Sequence, residues 1–140
     1  MTFAGVNYLA ILIAAVAAWI AGAAWYMTLG KLWQAAAGMT PEQMEACRKR
    51  PYAWLPFVLV FIGHVIMAWT LAGILFHFGM VNIKDGVITG ALCWLGFVIT
   101  TIVTNNAFAM RSYRLSAIDG GHYLLVLVLM GAIIGAMGAK

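Results

Sequence analysis

The chain has 140 residues, 65% of them hydrophobic and only 9% charged, with a formal net charge of +4. A soluble domain carries roughly 45–50% apolar and about 25% charged residues, so a mean hydropathy of +0.98 excludes a water-soluble monomer, a disordered chain and a coiled coil. Two cysteines cannot make a disulfide scaffold, and the basic residues lack the aromatic interleaving of a nucleic-acid surface, so no nucleic-acid partner is expected.

The twelve formal charges fall in four clusters. The charge-free stretches are Met1–Gly30 (30 residues), Pro51–Ile83 (33), Gly86–Met110 (25) and Gly120–Ala139 (20). About 20 apolar residues at ~1.5 Å rise cross a ~30 Å hydrocarbon core, so each stretch holds one span. The fold expected is all-α: one domain over 1–140, a bundle of four transmembrane helices near 6–27, 54–78, 87–108 and 117–138. Ala21-Gly22-Ala23 has the form of a signal-peptide cleavage site. However, no basic residue precedes the segment and its apolar run is too long for a signal peptide, so it reads as a retained helix.

A short cytoplasmic surface helix is expected at 41–50, between the first two spans. Thr40 is its N-cap, Pro41 its first residue and Gln43 the partner in a capping box. Glu42 and Glu45 lie early and Arg48-Lys49-Arg50 late, as the helix dipole prefers. That basic run is a candidate anchor for anionic lipid headgroups.

Orientation follows from Lys and Arg. Lys31, Arg48, Lys49, Arg50, Arg111 and Arg114 belong to the first and third connections, against Lys84 and Lys140 on the other side. The expected placement has those connections cytoplasmic and both termini outside. Trp25, Tyr26, Trp33, Tyr52, Trp54, Tyr113 and Tyr123 then read as an interfacial belt.

Five strings resemble a bacterial membrane family known as domain of unknown function 1761. They are Asn7-Tyr8-Leu9-Ala10, Gly22-Ala23-Ala24-Trp25-Tyr26, Gly30-Lys31-Leu32-Trp33, Gly90-Ala91-Leu92-Cys93-Trp94-Leu95-Gly96-Phe97 and Ile118-Asp119-Gly120-Gly121-His122. The resemblance covers nearly the whole chain and implies a four-helix integral protein of the bacterial inner membrane, its outside termini then periplasmic, without an assigned activity. Asp119 departs from it, standing where the family more often has Asn.

The candidate polar site within the membrane comprises His64, Thr100, Thr104, Asn105, Asn106, Asp119 and His122. His64 falls about midway along the second span, where an ionisable side chain faces the bundle interior. It reads either as a proton-relay or solute-binding imidazole or as a neutral His bonded to a neighbouring helix. His77 lies about 220° further around that helix and cannot share its site. Thr89, Cys93, Gly96, Thr100 and Thr104 recur along one face of the third span, flanked by Thr101 and Asn105, with Leu92, Leu95, Val98, Ile99 and Ile102 opposite. Such a stripe either lines a polar path or mediates helix packing. Asp119 and His122, spaced i and i+3, read as a carboxylate–imidazole pair; alternatively, Asp119 caps the fourth helix with Ser116 as N-cap.

Small residues recur at Ala14, Ala18 and Gly22 and again at Gly131 and Gly135, the spacing that lets transmembrane helices approach closely. Four helices have little interior to use both stripes, so one of them is expected to serve a homo-oligomer or a partner in a membrane complex. No nucleophile–base set, phosphate loop or metal-ligand cluster appears, so neither an enzyme nor a cofactor is expected. The alternative is a small-solute or ion transporter using His64, Thr100, Thr104 and Asn105.

Overall fold

The computed structural model describes residues 5–138, all helix and connections with no strand. α1 is Tyr8–Ala37, α2 Pro41–Arg48 and α3 Leu55–His77. The third span is continuous but in three parts: α4 (Ile83–Cys93), a π turn (Trp94–Val98) and α5 (Ile99–Phe108). α6 is Tyr113–Met137. Among the described residues, four helices are long and apolar enough to cross a membrane: Tyr8–Ala37, Leu55–His77, Ile83–Phe108 and Tyr113–Met137. Lys140, one of the two basic residues assigned to the opposite side, lies outside the described residues.

Helix ends account for the differences from the expected boundaries. α1 runs ten residues beyond Met27, because no proline intervenes and the first left-handed residue is Gly38 (φ 69°). There the amides of Gly38 and Met39 donate to Ala35 and Gln34 carbonyls, a Schellman closure. Gly79 closes α3 in the same way, and Met110 (φ 51°) closes α5, with Arg111 N–H donating to Asn106 O. α4 starts at Ile83 because the Asn82 side chain accepts from Asp85 N–H, which draws Lys84 and Asp85 into its first turn. α2 carries the Thr40–Gln43 capping box and buries no residue. The Glu42 carboxyl is held below its usual range by its own backbone N–H and then by the Thr40 hydroxyl.

α6 is the central helix, packing on α1, α3, α4 and α5. Both small-residue stripes are spent inside the chain. Ala14, Ala18 and Gly22 are buried on α1. A Cβ at Gly131 would collide with the Gly86 carbonyl, one at Gly135 with the Asn82 carbonyl, and one at Gly90 with the Leu127 carbonyl. α4 and α6 therefore touch backbone to backbone, an approach that only glycine permits. Both stripes thus pack against helices of the same chain.

The interior is divided along its length. One half is apolar, built from Ala10, Ile11, Ala14, Ala15 and Ala18, from Ala68, Leu71, Ala72 and Leu75, and from Val126, Leu127, Met130 and Ile134. The other half, toward the end with the first and third connections (the basic end), holds buried His64, Ser116 and His122, while buried Asn7 caps α1 at the opposite end.

A buried histidine pair as candidate functional site

α3 and α6 both begin at the basic end, each following one of its connections. His64 is the tenth residue of α3 and His122 the tenth of α6, so both lie ~14 Å in at a rise of ~1.5 Å per residue. Their rings face each other with centroids 6.1 Å apart. His64 is 2% exposed and His122 4%. Among the described residues, Nδ1 and Nε2 of His64 and Nδ1 of His122 have no hydrogen-bond partner. Leaving a buried polar atom unpaired costs roughly 1–3 kcal/mol, so three in one place mark a site rather than a packing detail.

α1 shapes the site at a spacing of four and then seven residues. Gly22 makes room for the His122 ring, since a Cβ there would stand 2.7 Å from Nε2. One turn on, the Tyr26 ring lies 5.0 Å from that of His122. Its hydroxyl donates to Asp119 Oδ1 at 2.7 Å, and Trp33 Nε1 donates to the same oxygen at 2.9 Å. Tyr123 sets its ring edge-on to His122 at 4.8 Å. Two further indoles brace this stretch of α6, Trp25 on the Ile118 carbonyl and Trp94 on the Gly120 carbonyl.

Asp119 is thus neither cap nor partner of His122. α6 begins four residues before the expected start, with Ser112 as its N-cap. Ser116 is buried, and its hydroxyl accepts from Asn106 Nδ2, tying α5 to α6. Asp119 sits in the second turn with an oxygen shared by two neutral donors, and it forms no ion pair among the described residues. The aromatic belt divides accordingly: Tyr52, Trp54 and Tyr113 are exposed, whereas Trp25, Tyr26, Trp33 and Tyr123 turn inward to build the site.

The polar stripe of the third span does not reach His64, and the π turn is the reason. Ile99 N–H donates to Trp94 O, five residues back, which inserts one residue and rotates the remainder of the span by about 100°. Leu92 ahead of the turn and Leu95 early in it point outward; from Val98 at its end onward, Val98, Ile99 and Ile102 turn inward while Thr100, Thr101, Thr104 and Asn105 are exposed. Thr100 and Thr101 donate to the Gly96 and Phe97 carbonyls of their own helix. His77 is exposed beside Phe78. Arg48, Lys49 and Arg50 are exposed around the end of α2, with Lys49 paired to Glu45.

Cys47 and Cys93 are free thiols on different elements. No group of three or more His, Cys, Asp or Glu converges among the described residues.

The family model described as protein of unknown function DUF1761 matches residues 9–135. The chain belongs to that family. No curated protein and no solved structure matches it. In this DUF1761 member, strings far apart in sequence meet at one place: Gly22 and Tyr26 from one, Trp33 from another, Trp94 from a third, Asp119, Gly120 and His122 from a fourth. His64, from outside these strings, completes the cluster. Tyr26 and Trp33 are legible in the sequence as aromatics, but an interfacial aromatic and an inward hydrogen-bond donor look alike until the partner helix is placed.

Proposed function

We propose that this protein is a non-enzymatic membrane protein that takes up a proton from its basic end at a blind site, the His64–His122 pair. The observation that supports this reading is the position of those unpartnered imidazoles. They stand where the polar half of the interior meets the apolar half, so the site is approached past Tyr26 and Asp119 and is closed beyond. The titratable groups beside it are Tyr26 from α1 and Asp119 and Tyr123 from α6, whereas Cys93 of the third span packs against the apolar core. Imidazole can accept a proton on one ring nitrogen while the other donates a hydrogen bond, which suits it to taking up a proton and passing it on. In the bacterial inner membrane, with the basic connections cytoplasmic, the site would report cytoplasmic pH.

The test uses protein reconstituted in lipid vesicles and the fluorescence of the neighbouring indoles. A pH step on the basic side changes the emission, a step on the other side does not, and His122→Phe abolishes the response. A response to both sides, or collapse of an imposed pH gradient at a rate above that of empty vesicles, overturns the blind-site reading.

A second reading is helix association, as a homo-oligomer or with a partner subunit. Its support is the third span, whose apolar 18-residue stretch is 11% buried within the chain, against 28–44% for the corresponding stretches of the others. The native mass in mild detergent tests it: a single-chain mass with no co-purifying subunit overturns it.

A further inference from the structure

We infer that His64 and His122 form one two-imidazole site closed by a single bridging water molecule, and that the bridged pair holds the proton as a unit. This rests on the blind-site reading above.

The geometry points to one bridging atom. Imidazole nitrogens lie about 1.1 Å from the ring centre, so even a long N–H···N contact of ~3.2 Å joins centroids no more than about 5.4 Å apart. The observed 6.1 Å rules out a direct bond. A water with N···O contacts of ~2.8 Å sets the two nitrogens about 4–5 Å apart, which the observed separation accommodates. A buried water needs two or more polar partners, and Nδ1 of His122 and either nitrogen of His64 supply them without competition from other groups. The Nε2 side of His122 is walled by Gly22, which leaves Nδ1 as the atom for the bridge.

A metal ion would also span this gap, but two imidazoles leave a tetrahedral ion half-coordinated. The carboxylate on the next turn already shares one oxygen between Tyr26 and Trp33. A neutral water needs no balancing charge.

The bridge also balances as chemistry. A proton on His122 Nδ1 passes to the water oxygen as that N–H breaks; a different O–H of the same water breaks as its proton joins a His64 nitrogen. One bond forms for each that breaks, the water is regenerated, and the single positive charge moves from one ring to the other.

Proton-detected solid-state NMR of ¹⁵N-histidine-labelled protein in lipid bilayers tests this. The expected spectrum has a water cross-peak to one nitrogen of each ring, with the His122 peak lost in His64→Phe. A scalar coupling directly between the two rings, stoichiometric zinc or copper in the preparation, or no water contact at either ring each overturns it. The unsubstituted protein decides the matter even if the variant fails to fold. If the bridge is missing while the one-sided fluorescence response persists, the water inference fails and the blind site stands.

Discussion

Gly22 on α1 stands so close to His122 on α6 that a Cβ would come within 2.7 Å of Nε2. The imidazole is boxed in by Tyr26 and Tyr123 as well, so it has little room to withdraw. Gly22→Ala therefore moves the ring or parts the helices, at a cost of about 1–3 kcal/mol. That exceeds the gain of about 1 kcal/mol from helix propensity. The expected outcome is a lower melting temperature in detergent and loss of the one-sided pH response; an unchanged response shows that the ring position is immaterial.

Asp119 offers a cleaner separation of charge from hydrogen bonding. Its Oδ1 accepts from both Tyr26 and Trp33, and an amide oxygen can accept the same two bonds. Asp119→Asn should keep stability within about 0.5 kcal/mol, because it retains the acceptor and removes a charge from the membrane. Asp119→Leu should lose about 1–2 kcal/mol by stranding two donors. Thermal unfolding in detergent ranks the three proteins, and equal loss in both variants would mean that the charge itself holds α1 to α6.

Glycines of the α4–α6 contact should tolerate nothing larger. At Gly86 and Gly131 an added methyl meets rigid backbone, so alanine at either site costs about 1–3 kcal/mol. Gly63 in α3 has no atom within 4 Å of its would-be Cβ, and Gly63→Ala should be neutral or stabilising by up to about 1 kcal/mol. The contrast is read from melting temperatures measured side by side.

Met110 holds a left-handed conformation, with φ 51°, where the corresponding closures of α1 and α3 use glycine. Met110→Gly removes a strain of about 1 kcal/mol at the turn into α6. A higher melting temperature is the expected result; a lower one would show that the exposed Met side chain does more than occupy the turn.

The outward threonines supply the control for the site. Thr100 donates to its own helix and both Thr100 and Thr104 are exposed, so Thr100→Val with Thr104→Val should leave the pH response of reconstituted protein unchanged. Loss of that response would return the third span to the polar path.

How far the site is legible in the sequence differs by residue. His64 and His122 stand out singly, since an imidazole deep in an apolar span must face the interior, but nothing local says that they face each other. Their common depth becomes visible only when α6 is seen to start at Tyr113, which makes His122 the tenth residue of its helix rather than the sixth. Asp119 is misplaced by sequence pattern because Ser116 and Asp119 fit a capping box that Ser112, four residues earlier, pre-empts. Thr100, Thr104 and Asn105 are misplaced because a constant 100° per residue does not survive a π turn, which no periodicity records.

Four membrane spans, the basic end and the α2 cap were determined by the sequence itself, because charge spacing, apolar length and capping chemistry are local quantities. The tertiary structure alone decided which helix meets which. Each small-residue stripe can pack against any close neighbour, and each buried polar atom can be satisfied by any helix that brings a partner. That choice turned both stripes inward, made Tyr26 and Trp33 the partners of Asp119, and left two imidazoles facing across a gap too wide for a direct bond.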